Sequence, residues 1–332
     1  DELAAWNLSI QLEPPKSPTP IGFAVIHRGW LVHEAYAPDG RPRPTWIASI
    51  GKSITSCAVG NWIEAGRRDP GRPRLELESR VYDPRLLPEG FPLSDPRKAE
   101  ITLFHLLSHT SGIQPEPDTR SGEGFAFLDY TVGHCAAFPE SARLAFDPGT
   151  RYGYSSVGFN HFALMAPHVL GRPLHESVER ELFAPIGVES LAWRLAGDPV
   201  SQNDRADGYM AAAGGPFLTA RDLARYAYLH LHDGLWDNRR IVPRWYLRAA
   251  RHVWRVNAAQ PDDYALGLLT NHAGGLCADL PRDAYAFFGS GLNMALVIPS
   301  WDLIVVRTSR LWTTTLPNYL AELGPRLAAL IR

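Results

Sequence analysis

The strand-like segments of this chain lie near its two ends, and this distribution constrains the fold more than any other feature. Apolar runs with strand-type spacing and turn residues at their ends occur at 21–26, 30–36, 264–270, 283–288, 292–298 and 303–308. Helical spacing dominates residues 101–200. A sheet can include both ends only if the chain leaves it and later returns. We therefore expect an α/β (α+β) protein with a sheet domain at 1–66 plus 201–332 and a mainly helical subdomain inserted at 67–200.

Helix signals support this arrangement. Residues 49–65 carry one apolar face and are followed by Gly66, where a helix is expected to end. A helix over 219–232 begins with Thr219 as N-cap, and Asp222 stands at the capping-box distance. A last helix places five leucines on one face, a stripe suited to packing on a sheet. These leucines are Leu316, Leu320, Leu323, Leu327 and Leu330.

Composition excludes several classes of protein. The chain has 33 Lys and Arg against 35 Asp and Glu, whereas a nucleic-acid-binding protein usually carries a basic surplus. No apolar run reaches the ~18 residues that span a bilayer. Three cysteines without C-x-x-C spacing, and histidines without an H-E-x-x-H pattern, predict no disulfide framework, metal or cofactor. Because the chain begins at Asp1, a signal peptide would lie outside it, and both a cytoplasmic and an exported protein fit.

Ser49 and Lys52 form the first candidate for chemistry. If Ser49 opens a helix, Lys52 lies one turn later on the same face. A hydroxyl needs a nearby base to become a nucleophile, and the N–H groups of a helix N-terminus can stabilise an oxyanion. The same spacing also fits an N-cap serine followed by a solvated lysine. A nucleotide-binding P-loop does not fit, because Trp46 stands where its first glycine is required.

Two further segments could line a cleft. Tyr154 follows a Pro-Gly turn and precedes a helix, a place where a phenol can face a site and relay protons. Its alternative role is packing, with Ser156 as the cap of that helix. Gly289-Ser290-Gly291 lies between two strands, where glycine lets a ligand or another backbone approach closely. A tight hairpin turn accounts for these three residues as well.

Four ordered blocks together resemble the serine β-lactamase and penicillin-binding-protein superfamily. They are Ser49-Ile50-Gly51-Lys52-Ser53, the segment Ile101 to Gly112, the segment Pro148-Gly149-Thr150 to Tyr154-Ser155-Ser156, and Ala213-Gly214-Gly215 with Thr219 to Ala224. The similar branch is class C-like. It includes class C β-lactamases, D-alanyl-D-alanine carboxypeptidases, family VIII carboxylesterases and 6-aminohexanoate-dimer hydrolases. The resemblance implies a β-lactamase/transpeptidase-like fold, an antiparallel sheet flanked by helices with an inserted all-helical subdomain.

The resemblance also implies roles for individual residues. Ser49 matches the nucleophile of the family, Lys52 its lysine partner, and Tyr154 the tyrosine of the Y-x-N motif. The backbone N–H groups of Ser49 and Leu292 would form the oxyanion hole. The block from His105 to Gly112, which contains His109, matches a scaffold signature, and we interpret it as structural.

Two departures from the family pattern bear on the substrate. Ser156 stands where the motif has Asn, and a hydroxyl cannot offer the amide donor. Gly289-Ser290-Gly291 stands where the family has Lys-Thr-Gly or His-x-Gly, so a carboxylate-binding cation is missing unless Arg307 or Arg310 replaces it. We expect the third motif and Ser156 to contact the substrate.

The resulting prediction is a serine hydrolase that acts through an acyl-enzyme on a small neutral ester or amide. One alternative is a β-lactamase or D-alanyl-D-alanine carboxypeptidase that takes a β-lactam or peptide. The other is a non-catalytic relative that uses the cleft for binding. The sequence leaves the oligomeric state and the physiological substrate open.

Overall fold

A computed structural model describes residues 21–37, 39–115, 127–188, 192–193, 211–253, 263–309 and 315–331. Its strands are β1 (Ile21–His27), β2 (Trp30–Ala37), β3 (Thr45–Trp46), β4 (Ala192–Trp193), β5 (Pro216–Leu218), β6 (Leu235–Trp236), β7 (Arg239–Arg240), β8 (Leu269–Thr270), β9 (Tyr285–Gly289), β10 (Asn293–Ile298) and β11 (Leu303–Thr308). Its helices are α1 (Gly51–Arg68), α2 (Leu103–Leu107), α3 (Phe127–Val132), α4 (Ser156–Leu170), α5 (Leu174–Val178), α6 (Ala220–Leu231), α7 (Arg244–Ala250) and α8 (Leu316–Ile331). The Pro-rich arm at 1–20 lies outside the described residues.

The largest sheet is built from both ends of the chain. Within the described residues it has six strands in the order β2-β1-β11-β10-β9-β8, and the neighbouring strands run antiparallel. The first strand pairs with the last, from Gly22 opposite Thr308 to His27 opposite Leu303. An antiparallel sheet with helices packed on it confirms the predicted fold class.

Alternate residues of the central strands face two different apolar clusters, because successive side chains of a strand point to opposite faces. Val305 packs in the cluster that includes α8, whereas Val306 packs in the larger cluster that includes α1 and α6. Four of the five leucines predicted on one face of α8 are buried in the first cluster. Leu330 is 66% exposed, so the predicted stripe is one leucine too long.

Helix α1 brings the first motif into the core. A 3-10 turn at Ala48–Ile50 leads into α1, most of whose residues are buried. The helix continues two residues beyond Gly66, where we expected its end. A side chain at Gly66 would overlap Pro73 O, so the glycine serves close packing of the following loop rather than termination.

Other local predictions have mixed outcomes. Helix α6 has the predicted capping box, in which Thr219 Oγ1 accepts the Asp222 N–H and the Asp222 carboxylate accepts the Thr219 N–H. The strand predicted at 264–270 is wrong over most of its length. Only residues 269–270 are a strand, because Ala265 N donates to Leu268 O across a turn in which Gly267 has a φ of 84°.

The middle of the chain is mainly helical. It also contains β4, which pairs with β5, a strand pair that we did not expect. One apolar cluster joins α1, α4 and α6, so the two predicted units share a core, and their boundaries at 66/67 and 200/201 stay a prediction. No described helix is both long and apolar enough to cross a membrane.

Candidate active site

Ser49 lies where the chain turns from β3 into α1. Ala48, directly before it, has a φ of 49°, a left-handed conformation that costs a non-glycine residue roughly 1–2 kcal/mol. Ile47 and Ile50 on either side are fully buried. Their burial holds the strained turn in place, and the Ser49 side chain lines a cavity.

Lys52 lies one helical turn later and is buried, with 2% of its surface exposed. Its Nζ donates to Ser49 Oγ at 3.1 Å, to Ser156 Oγ at 3.0 Å and to Ala213 O at 3.3 Å. An ammonium group has three donors, and each of them has an acceptor. The alternative of a solvated lysine is therefore wrong.

Tyr154 reaches the same hydroxyl from the start of α4. Its Oη donates to Ser49 Oγ at 2.8 Å, and Lys52 Nζ lies 4.7 Å from the centre of its ring. The cap of α4 is Ser155, whose Oγ accepts the Gly158 N–H, and not Ser156. Ser156 is thus able to accept from Lys52, and the structure brings Ser49, Lys52, Tyr154 and Ser156 together.

The third motif lies against the nucleophile turn. An ideal Cβ at Gly289, the last residue of β9, would lie 3.0 Å from Ser49 N and closer still to Ile47 O, so only glycine fits. Ser290 follows and lines the cavity. The side chain of Asn293 donates to Ser290 O at 2.7 Å and to Trp46 O at 3.3 Å, which ties this turn to β3. Sequence reasoning missed Asn293.

The geometry does not favour Leu292 as part of the oxyanion hole. Gly291 and Leu292 have φ values of 79° and 58° and form the turn between β9 and β10. Leu292 is 2% exposed and packs in the cluster with α8, and it is not among the residues that line the cavity. In the hairpin, Gly289 and Ser290 are the residues that approach Ser49.

The cavity has a volume of about 440 Å³. Its described lining comprises Ser49, Lys52, Tyr152, Tyr154, Ser156, Tyr264, Gly267, Leu268, Leu269, Phe288 and Ser290. Lys52 is the one charged side chain in that lining, and the others are aromatic, aliphatic or hydroxyl groups. Tyr264 and the turn after it were not predicted, because they reach the site only through packing of Gly267 against Lys52 O.

Burial keeps the aromatic wall of the cavity uncharged. It raises the pKa of Tyr152 and of Tyr264 above the ordinary value of a phenol. Burial also lowers the pKa of His109 well below its usual range, and the charge of Lys52 adds to this effect. Near neutral pH these three side chains therefore carry no charge.

Arg307 does not replace the missing cation of the third motif. Its side chain is fully buried, its guanidinium lies 5.6 Å from the centre of the Tyr319 ring on α8, and one of its nitrogens donates to Leu292 O. Arg310 lies outside the described residues. Among the residues that the structure describes, no group of three or more His, Cys, Asp or Glu could hold a metal ion.

Comparison with known proteins gives the family. A family model described as Beta-lactamase matches residues 21–323. This chain belongs to the Beta-lactamase family. As the resemblance implied, the family places it in the superfamily of serine hydrolases that includes penicillin-binding proteins and esterases.

The similar proteins are distant from this chain in sequence. Penicillin-binding protein 4 of Amycolatopsis lactamdurans is 29% identical over 206 residues, which are 56% of this chain and 50% of that protein. Esterase EstB of Burkholderia gladioli is 27% identical over 157 residues, 44% of this chain and 38% of that protein. These matches span half or less of either relative. The structure of the octameric penicillin-binding protein homologue from Pyrococcus abyssi shares the fold, with a TM-score of 0.70 and 19% identity. The match covers 99% of this chain and 77% of that protein.

Proposed function

We propose that this protein is a serine hydrolase that forms an acyl-enzyme on Ser49 with a small neutral ester or amide. The observation that carries the proposal is the convergence on one hydroxyl. Ser49 Oγ lies 2.8 Å from Tyr154 Oη and 3.1 Å from Lys52 Nζ, which are distances suited to proton transfer.

The proposed reaction has two steps that use the same groups. The reaction starts from the form in which Lys52 is a neutral amine: Lys52 Nζ takes the Ser49 proton while Ser49 Oγ bonds to the carbonyl carbon, and the electron pair of the carbonyl moves to its oxygen. The intermediate collapses, the bond to the leaving group breaks, and the leaving group receives the proton through Tyr154. Water then attacks the acyl-enzyme, gives its proton to Lys52 and releases the acid, and Ser49 regains its hydrogen.

Two backbone N–H groups would hold the oxyanion in both steps. One belongs to Ser49, which begins the turn into α1. For the second N–H group we choose Ser290 instead of Leu292. Ser290 lines the cavity and directly follows Gly289, which lies against the Ser49 backbone. Such donors are worth about 10²–10³-fold in rate when they are aimed at the developing charge.

The lining of the cavity supports a neutral substrate. Lys52 is its one charged side chain among the described residues, and the three hydrogen bonds of Lys52 go to protein oxygens. A substrate carboxylate would thus find no free cation in this part of the wall. Tyr152, Tyr264, Leu268 and Phe288 instead offer apolar surface to an aliphatic or aromatic acyl group.

Removal of the nucleophile tests the mechanism. We expect Ser49→Ala to lower kcat on p-nitrophenyl butyrate by at least about 10³-fold, as loss of a nucleophile does in other serine hydrolases. Ser53→Ala is the matched control, since Ser53 lies in the same helix, its hydroxyl donates to Ile50 O at 2.9 Å and also hydrogen-bonds with Tyr226, and it is not among the residues that line the cavity. A Ser49→Ala protein with the wild-type rate would contradict the proposal.

A substrate panel and a covalent label separate the competing functions. The penicillin-binding relative makes β-lactam turnover the competing activity. Faster turnover of a chromogenic cephalosporin than of p-nitrophenyl butyrate or a D-alanyl amide would reverse our choice of substrate. A folded wild-type protein that a fluorophosphonate does not label at Ser49 would instead indicate a non-catalytic binding protein.

A further inference from the structure

His109 contacts three consecutive residues around Tyr154. Its backbone oxygen accepts the Gly153 N–H at 2.8 Å, and its Nδ1 accepts the Ser155 N–H at 3.2 Å. Between these two bonds, the imidazole ring lies against the Tyr154 ring with 4.3 Å between their centres. One residue therefore holds the backbone on both sides of Tyr154 and the ring between them.

The imidazole is held in one protonation state. Because Nδ1 accepts a hydrogen bond, the proton of the neutral ring must be on Nε2. Nε2 is buried and has no hydrogen-bond partner, and the ring is enclosed by the aromatic rings of Tyr152, Phe159 and Tyr264. Lys52 is the charged group that acts on this ring and, like burial, it disfavours a second proton.

The backbone of His109 is unusual as well. Its φ of 57° lies in the left-handed region, which most non-glycine residues avoid. The neighbouring Thr110 O and Gly112 O accept the N–H groups of Gly149 and Ala145, so this loop binds the chain that leads to Tyr154 at several points. The left-handed backbone at His109 lies in the same loop, which therefore contacts both the chain before Tyr154 and the Tyr154 ring.

We propose that His109 is a positioning residue that fixes where the Tyr154 hydroxyl stands between Ser49 and the leaving group. The inference rests on the proposed function and deepens it. It differs from a role in core packing alone, because it predicts that loss of His109 impairs the particular step in which Tyr154 passes a proton to the leaving group.

Comparing two leaving groups isolates the step in which Tyr154 passes a proton to the leaving group. An alkoxide leaving group is a strong base and needs a proton as its bond breaks, whereas p-nitrophenolate leaves without one. A misplaced Tyr154 hydroxyl therefore slows hydrolysis of an alkyl ester more than that of a p-nitrophenyl ester of the same acid. A smaller folded fraction lowers both rates by the same factor.

Two substitutions test separately the ring of His109 and its hydrogen-bond acceptor. His109→Asn keeps an acceptor atom at the position of Nδ1, tolerates the left-handed backbone and loses the ring. His109→Phe keeps a ring and loses the acceptor for Ser155 N–H. We expect each to lower kcat on ethyl butyrate by about 10²-fold and on p-nitrophenyl butyrate by about tenfold or less, with KM nearly unchanged, since misplacement by about 1 Å has effects of this size.

His161→Phe is the matched control, because it makes the same change at another buried histidine. His161 Nδ1 donates to Val157 O and its Nε2 accepts from Tyr82 Oη. Within the described residues its hydrogen bonds and its ring contact thus go to α4 and Tyr82 and not to Tyr154. We expect it to lower the melting temperature while the ratio of the two ester rates stays at the wild-type value.

Combining His109→Asn with Tyr154→Phe in a double variant completes the test. When Tyr154→Phe has already removed the hydroxyl, His109→Asn should cause no further loss on ethyl butyrate, since coupled residues are not additive. Equal losses on both esters, or a full additional loss in the Tyr154→Phe background, would overturn the inference and leave the proposed function standing. Failure of the proposed function is a different result, namely wild-type activity in Ser49→Ala.

Discussion

Gly51 lies between Ser49 and Lys52 in the chain, directly before Lys52, and its replacement by alanine tests how tightly the site is packed. An added Cβ would lie 2.7 Å from Gly214 Cα and 2.8 Å from Gly214 N, whereas ordinary contacts begin at 3.4 Å. The start of α1 and the chain at Gly214 must therefore separate by about 0.7 Å, the difference between 3.4 and 2.7 Å. Lys52 Nζ, which donates to the adjacent Ala213 O at 3.3 Å, would lose that acceptor.

Two effects on stability oppose each other in Gly51→Ala. Alanine favours a helix over glycine by up to ~1 kcal/mol, and overpacking costs typically ~1–3 kcal/mol. The free energy of unfolding therefore falls by at most about 3 kcal/mol, and by at most about 2 kcal/mol where alanine realises its full helix preference. The displacement of Ser49 and Lys52 is more serious for activity, because a shift approaching 1 Å lowers kcat by about 10- to 100-fold.

The assay compares kcat on p-nitrophenyl butyrate with the free energy of unfolding in urea. Gly158→Ala is the control, since Gly158 is also helical and an added Cβ would meet its nearest atom, Ser111 Oγ, at 3.6 Å. It should keep the wild-type kcat and gain stability. A Gly51→Ala protein with kcat within about twofold of wild type would refute the reasoning, because small shifts of this turn would then not matter for catalysis.

Two further outcomes are expected. Ser156→Ala removes one of the three acceptors of the buried Lys52 and should lower kcat about tenfold, whereas Ser156→Thr keeps the hydroxyl and most of the rate. Arg97, together with two backbone N–H groups, lowers the pKa of Asp95 to about 2. Asp95 therefore stabilises the fold above pH ~4 and loses this contribution as the pH falls towards ~2, so the deficit of Asp95→Asn in urea unfolding should shrink over that range.

The parts of the site that the sequence predicts are those carried by ordered motifs. Ser49 and Lys52 are close because helical spacing puts them on one face, and Tyr154 joins them as the matched blocks implied. The sheet from both termini followed from the apolar patterns. In these places the local pattern and the packed structure agree.

The parts that the sequence does not predict depend on register and on packing between distant segments. The second oxyanion donor stays a proposal, and our choice moves from Leu292 to Ser290 because a glycine-rich hairpin does not reveal from its sequence where its strand ends. Tyr264 was placed in a strand, yet it lies in a wall set by the contact of Gly267 with α1. The hydrogen bond that His109 Nδ1 accepts from Ser155 N–H fits the structural interpretation of this residue, but its contact with the Tyr154 ring is visible only in three dimensions.

The pairing of the first strand with the last has a consequence for how the protein is made. Gly22 and Thr308 face each other and are 286 residues apart in the chain. At ~5–20 residues per second, a ribosome needs roughly 15 to 60 s to supply the partner of β1. During that time β1 has β2 on one side and an open edge on the other, and open edges pair with other chains. The newly made chain is therefore most prone to aggregation before β9, β10 and β11 emerge, when Ser49, Lys52 and Tyr154 are already present but the strand that carries Gly289 is not.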